Sequence, residues 1–219
     1  MNILLLGPPG AGKGTQGERI AERLGVPKVA TGDVLRAAVR DGTEMGLAAK
    51  GFMDRGALVP DDVILGIVKE ALATPQMAKG VVLDGVVRTV PQAEGLQRVF
   101  ADLGRKLDCV LMFDIADDEV VKRLAARTVC QSCQTPYTGM ESGQRCPRPR
   151  CGGVVMRRKD DEPDAIRMRM RAYREQTEPV AAWYRNDGTG FVQLDAVGDV
   201  DAITRRVVAS LDECRETSG

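Results

Sequence analysis

The chain has 219 residues, 43% of them apolar, with 31 basic and 31 acidic side chains and no histidine. That length suits one compact domain with an insertion, or two small ones, and the apolar share is enough for a real core. Zero net charge gives no general pull toward nucleic acid or a membrane surface, no apolar run reaches the length of a membrane span, and His-based acid–base or metal chemistry is excluded.

The N-terminus lacks the basic stretch and cleavage site of a secretion signal, so a cytoplasmic location is expected. Ile3–Leu6 reads as a buried strand. It runs into Gly7-Pro8-Pro9-Gly10-Ala11-Gly12-Lys13-Gly14-Thr15, and Gln16–Leu24 reads as a helix. Strand, glycine-rich turn and helix start form a phosphate-binding loop: glycines turn N–H groups inward, the helix start adds partial positive charge, and Lys13 adds a full one. Binding of a nucleoside triphosphate follows.

Val26–Ala30 reads as a second strand, ahead of the turn Thr31-Gly32-Asp33. Short helices are expected over Val34–Asp41 and Glu44–Arg55, then a helix capped by Asp61 and running through Ala73. Gly80–Asp84 is a strand tipped by a carboxylate. Beside a phosphate loop, Asp84 is placed to hold Mg²⁺, directly or through water; Asp33 and Asp114 read as caps. A helix from Val90 to Leu103, a strand at Cys109–Phe113 and a helix from Asp117 to about Ala126 follow. A long helix is expected from Glu162 toward Arg185, with Pro163 in its first turn. A last strand at Gly190–Leu194 and an amphipathic helix at Asp199–Cys214 precede a tail, Glu216–Gly219, expected to fray. Strands alternating with helices predict an α/β fold with a parallel sheet, whose ligands sit beyond the strands' carboxyl ends.

Between Arg127 and Arg158 the character changes to Cys, Pro, Gly and Arg. Cys130-x₂-Cys133 and Cys146-x₄-Cys151 are separated by twelve residues. Four thiolates on two knuckles match a closed structural zinc site, which would fold a segment too short for its own core and take no part in catalysis. Cys109 and Cys214 read as small packing residues. Arginines gather at the strand ends. Arg36, Arg88, Arg123, Arg127, Arg158 and Arg169 suit a highly charged phosphoryl group, with Arg123 and Arg127 at i,i+4 on one helix face; Arg157, Arg171 and Arg174 read as solvated.

These motifs carry a resemblance. Gly7–Thr15, Thr31-Gly32-Asp33-Val34-Leu35-Arg36, Leu83-Asp84-Gly85 with Arg88-Thr89-x-Pro91-Gln92, Arg158-Lys159-Asp160-Asp161 and Arg167-x-Arg169 together resemble adenylate kinase over essentially the whole chain. The cysteine segment is similar to the zinc-bearing LID of the long bacterial form. The resemblance implies a P-loop three-layer αβα core with a five-stranded parallel sheet over 1–29, 60–126 and 160–219, a helical NMP-binding module over 30–59 and a zinc-ribbon-like LID over 127–159. It implies transfer of a phosphoryl group between MgATP and AMP, giving ADP. A monomer is expected, because no long apolar surface face is left over. ATP would be held by Gly10, Ala11, Gly12, Lys13, Gly14, Thr15, Arg123, Arg127, Pro136, Tyr137 near its base, and Gly198. AMP would be held by Thr31, Arg36, Ala57, Leu58, Val59, Gly85, Val86, Val87, Arg88, Gln92 facing the adenine edge, Arg158 and Arg169. Lys13, Asp84, Arg88, Arg123, Arg127, Arg158 and Arg169 would act on the transferring group. A nucleoside-monophosphate kinase with a GMP or UMP/CMP acceptor is the alternative. One departure stands out: the family usually reads Asp-Gly-Phe-Pro-Arg where this chain has Asp84-Gly85-Val86-Val87-Arg88. It predicts weaker AMP affinity or lower thermal stability, and recovery of one of them on restoring Phe-Pro.

Overall fold

The computed structural model describes residues 1–217. Five parallel strands form the central sheet: β1 (Asn2–Leu6), β2 (Lys28–Ala30), β3 (Val81–Asp84), β4 (Cys109–Asp114) and, last in the chain, β8 (Gly190–Asp195). Their order is β2-β3-β1-β4-β8, with every neighbouring pair parallel. The inner strands β3, β1 and β4 are nearly continuous apolar runs because both their faces are covered. Alternation persists within them: Leu4, Leu6, Leu83 and Met112 face one core, and Ile3, Leu5, Val82, Leu111 and Phe113 face the other. This is the three-layer α/β P-loop kinase fold.

The helices are α1 (Lys13–Leu24), α2 (Thr31–Arg40), α3 (Glu44–Asp54), α4 (Asp61–Leu72), α5 (Val90–Asp102), α6 (Asp117–Ala125), α7 (Pro163–Ala172), α8 (Glu178–Asn186) and α9 (Val200–Thr217). Of the tail expected to fray, the final two residues lie outside the described residues. The long helix expected after Pro163 is interrupted by a π-helical turn at Tyr173–Thr177. Pro179 in the first turn of α8 has no N–H to give and crowds the preceding carbonyls, and the wider turn absorbs that mismatch.

Between α6 and α7 the chain makes a small antiparallel sheet of β5 (Arg127–Cys130), β6 (Pro136–Thr138) and β7 (Val155–Met156), in the order β6-β5-β7. Arg127 is therefore not on the helix face of Arg123: α6 ends at Ala125, and Arg127 pairs with Thr138 as the first residue of β5.

Cys109 and Cys214 are not merely packing residues, because they form a disulfide with Cα atoms 5.7 Å apart. Cys109 shares the face of β4 that bears Leu111 and Phe113, and Cys214 continues the buried stripe Ile203, Val207, Leu211 of α9. A pairing 105 residues apart in sequence leaves no local mark to read. Protein purified without reductant and then denatured is expected to titrate four thiols per chain; a count of six would refute the bond.

Candidate active site

The loop leaving β1 turns back onto the start of α1. Gly7 has φ 134°, and a Cβ there would lie 2.6 Å from the Phe113 carbonyl oxygen, so only glycine lets the loop pass this close to β4. Gly12, at φ 90°, occupies the N-cap position of α1 without a capping side chain, which leaves the helix's first N–H groups available to an anion. Lys13 Nζ donates to the carbonyl oxygens of Gly7 and Pro8, both at 2.7 Å. Burial pulls its pKa from 10.5 down to about 8; Asp84 opposes that fall, and Arg88, Arg169 and Arg127 deepen it. Register sets Asp84 opposite Leu5, one residue from the end of β1, and its Oδ2 lies 3.4 Å from the position a Gly14 Cβ would take.

Arg88 and Arg169 also line a cavity. Thr31 and Arg36 of α2, Ala57, Leu58 and Val59 before α4, Gly85 and Gln92, and Arg158 complete most of its wall. Ten of the expected acceptor-site residues thus face one space. Val86 and Val87 do not. They are 0% and 2% exposed and belong to the core packed against α4 and α5, because the chain turns inward after Gly85. Arg88, next in the chain, reaches the cavity. The expected benefit of restoring Phe-Pro is accordingly reversed. Val86→Phe with Val87→Pro overfills a closed core and is expected to cost about 1–3 kcal/mol, read as a lower Tm; a higher Tm would refute the packing argument.

Around the cavity basic groups outnumber acidic ones. Arg36 pairs with Asp33, yet its Nε is buried without a partner, and burial followed by the charge of Arg158 lowers its pKa. Burial likewise lowers Arg88 and brings Arg169 down to about 10, against the pull of Asp160. Two carboxylates hold the remaining guanidiniums. Asp161, 0% exposed, accepts from Arg127 Nε and Nη2 at 2.7 and 2.6 Å and from Arg169 Nη1 at 2.8 Å. Asp160 accepts both ends of the Arg158 fork at 2.9 and 2.7 Å. Although burial pushes the Asp160 carboxyl up, Arg158 and Arg169 hold it far below the usual range. Sequence reasoning saw Asp160 and Asp161 only as part of a motif; their signal was two acids beside an arginine, which any solvated turn also shows. Lys13, Arg36, Arg88, Arg127, Arg158 and Arg169 face Asp33, Asp84, Asp160 and Asp161, six cations against four carboxylates in a chain of zero net charge.

Further expectations change. Arg123 bonds to Glu119 and to the Ala196 carbonyl at 3.0 Å; it lies near the Gly198 loop and does not join the arginines on Asp160 and Asp161. Asp61 does not cap α4, since Pro60 holds that position; its carboxylate bonds to Thr89 and Gln92 instead. Asp33 and Asp114 are not caps either, for Asp33 pairs with Arg36 and Asp114 accepts from Gln193. Of the arginines read as solvated, Arg157 donates to the Asp161 carbonyl and Arg174 pairs with Asp117.

In the small sheet, the sulfurs of Cys130, Cys133, Cys146 and Cys151 lie within 4.8 Å of one another. Cys130 and Cys151 are 3.5 Å apart, Cys133 and Cys146 3.7 Å. Tetrahedral Zn–S bonds of about 2.3 Å require sulfur separations of roughly 3.8 Å, so the donor set fits a closed four-thiolate centre, and the x₄ spacing of the second knuckle does not spoil it. Tyr137, expected near the ATP base, directs its hydroxyl to Cys146 Sγ at 3.0 Å, and Pro136 beside it is exposed.

Comparison with known proteins agrees with this geometry. Residues 5–189 match the family model for adenylate kinase. The chain is 59% identical over 211 residues to the adenylate kinase of Gemmatimonas aurantiaca, covering 96% of this chain and 99% of that relative. It is 43% identical over 215 residues to that of Syntrophotalea carbinolica, covering 96% and 98%, and 41% identical over 219 residues to that of Archaeoglobus fulgidus, covering 98% and 100%. A phosphate loop beside an arginine-lined cavity, on this sheet order and with this likeness from end to end, makes the chain a member of the adenylate kinase family.

Proposed function

We propose that the protein catalyses the reversible reaction MgATP + AMP = 2 ADP. The observation that carries this reading is the cavity itself: part-buried arginines, one with a buried, unpartnered Nε, line it beside a phosphate loop whose lysine rests on two backbone carbonyls. The loop amides of Gly10–Thr15 and Lys13 hold the ATP phosphates, with Arg123 and the Gly198 loop on the base side. Thr31, Arg36, Arg88 and Gln92 hold AMP. Arg158 and Arg169, with Arg127, converge on the transferring group, where planar forks meet the equatorial oxygens. Asp84 would help hold Mg²⁺, which would neutralise phosphate charge.

Closure of the module over 30–59 and of the LID over 127–159 would exclude water and assemble the arginines only when both nucleotides are present. A structural Zn²⁺ on Cys130, Cys133, Cys146 and Cys151 would let the LID move as one body. Action as a monomer in the cytoplasm belongs to the same proposal. The residues assigned to both nucleotides come from one chain, and four free thiols suit reducing surroundings. The disulfide is sheltered from soluble thiols, both its cysteines being 0% exposed. No helix among the described residues is long and apolar enough to cross a membrane.

The test is ADP formation from MgATP with AMP, GMP, CMP and UMP as acceptors. Turnover concentrated on AMP supports the reading. Preference for GMP, or for UMP and CMP, would place the chain with another acceptor, and slow hydrolysis without acceptor preference would refute the assignment.

A further inference from the structure

A closed ring of hydrogen bonds stands behind Gln92. The side chain is 1% exposed and lines the acceptor cavity. Its Oε1 accepts from the Arg88 backbone N–H at 2.7 Å, and its Nε2 donates to Asp61 Oδ1 at 2.6 Å. The other Asp61 oxygen accepts from the Thr89 hydroxyl at 3.0 Å, and the Thr89 oxygen accepts from the Gln92 backbone N–H at 3.2 Å. Each donor in this ring meets an acceptor.

The ring fixes which way the amide points. A glutamine amide has nearly the same shape either way round, so a free one could offer its oxygen or its nitrogen at the same place. Here a flip would set NH₂ against the Arg88 N–H and the oxygen against the Asp61 carboxylate. Both contacts would be buried and repulsive. The fixed orientation leaves one N–H and one oxygen lone pair, in a set order, for a ligand in the cavity. Adenine offers an amino donor at C6 beside the N1 acceptor. A 6-oxo purine reverses that order, with an acceptor at C6 beside an N1–H donor. A glutamine able to flip could serve either base; a held one serves only one of them.

We propose that Asp61 is a positioning residue that sets acceptor specificity: by holding the Gln92 amide in one orientation, it makes the site select a 6-amino over a 6-oxo purine monophosphate. This rests on the AMP-acceptor reading above. Asp61 sits 31 residues from Gln92 and needs no contact with substrate to act.

The experiment compares kcat/KM for AMP and for IMP in the wild type, Asp61→Ala, Asp61→Ser and Asp61→Asn, together with Tm. The wild type is expected to favour AMP at least a hundredfold. Asp61→Ala and Asp61→Ser should each shrink that ratio at least tenfold, the serine because its hydroxyl can meet either end of the amide. Asp61→Asn, whose Oδ1 can still accept from Nε2, should keep the ratio within about threefold of wild type. In a Gln92→Met background Asp61→Ala should leave the ratio unchanged, since there is no amide to orient. If the alanine and serine variants lose activity on AMP and IMP equally and only Tm falls, Asp61 is a structural tie and the proposal is overturned. A wild type that uses AMP and IMP equally overturns the acceptor reading, and this inference with it.

Discussion

Replacing Lys13 by methionine is expected to lower kcat about a thousandfold while raising the melting temperature. The first effect follows from removing a fixed positive charge beside transferring phosphates in a dry site, a loss of the size seen when one such group is deleted. The second follows from the same burial that makes the charge useful. Folding brings the Lys13 pKa from 10.5 to about 8, so at neutral pH the native state carries a cation that it disfavours, at a cost of about 3 kcal/mol. The lost bonds to the Gly7 and Pro8 carbonyls offset part of that gain. Between pH 8 and 10.5 the unfolded chain holds the lysine proton while the folded chain releases it, so wild-type stability gains from this residue as pH rises. The advantage of Lys13→Met is therefore largest below pH 8 and shrinks as pH approaches 10.5. Thermal unfolding of both proteins across that range checks the sign. A variant less stable than wild type at pH 7 would mean that the lysine is comfortable in the empty loop.

Asp161→Asn should act in the opposite direction on stability. Asp161 is fully buried and neutralises both Arg127 and Arg169. Loss of its charge leaves Asp160 as the one carboxylate among three part-buried guanidiniums, which costs about 3–5 kcal/mol and lowers Tm by roughly 6–20 °C in a chain of this size. Saturating ADP should recover more of Tm in the variant than in wild type, because its phosphates take the place of the missing carboxylate. Equal recovery in the two proteins would show that the nucleotide does not reach these arginines, and an unchanged Tm would show that the pair is energetically idle.

What could be read from the sequence divides by range along the chain. β1, the phosphate loop and α1 are contiguous, so Gly7, Gly12 and Lys13 declared themselves through spacing alone. The four cysteines of the small sheet lie within 22 residues and were legible for the same reason. Arg36, Arg88 and Arg169 were picked out by where they fall in the chain, but only the resemblance told what each would hold, since an arginine at a strand end looks like any surface arginine. Arg127 was misread because i,i+4 spacing means one helix face only while the helix lasts, and α6 stops two residues short of it. The Cys109–Cys214 bond and the Asp61–Gln92 contact join elements 105 and 31 residues apart. Neither is written in any local pattern; each exists because the sheet order brings two helices or a helix and a strand together. Val86 and Val87 were assigned to the cavity because the segment borders it. Which side of the backbone faces the ligand is decided by the turn after Gly85, a matter of packing.

Asp160 and Asp161 mean that the protein carries its own counter-ions. When no nucleotide is present, the guanidiniums of Arg127, Arg158 and Arg169 are already matched by carboxylates fixed in the fold. Entry of a phosphate is then an ion exchange between two bound partners, with few mobile salt ions expelled to the bulk. Buried pairs of this kind are screened far less than surface ones. The affinity of the acceptor site should therefore vary little with ionic strength, and a simple anion, which matches fewer of these forks than a nucleotide does, gains little by displacing the carboxylates. Selectivity for a nucleotide over the dissolved anions of its surroundings is in this sense built into the resting state.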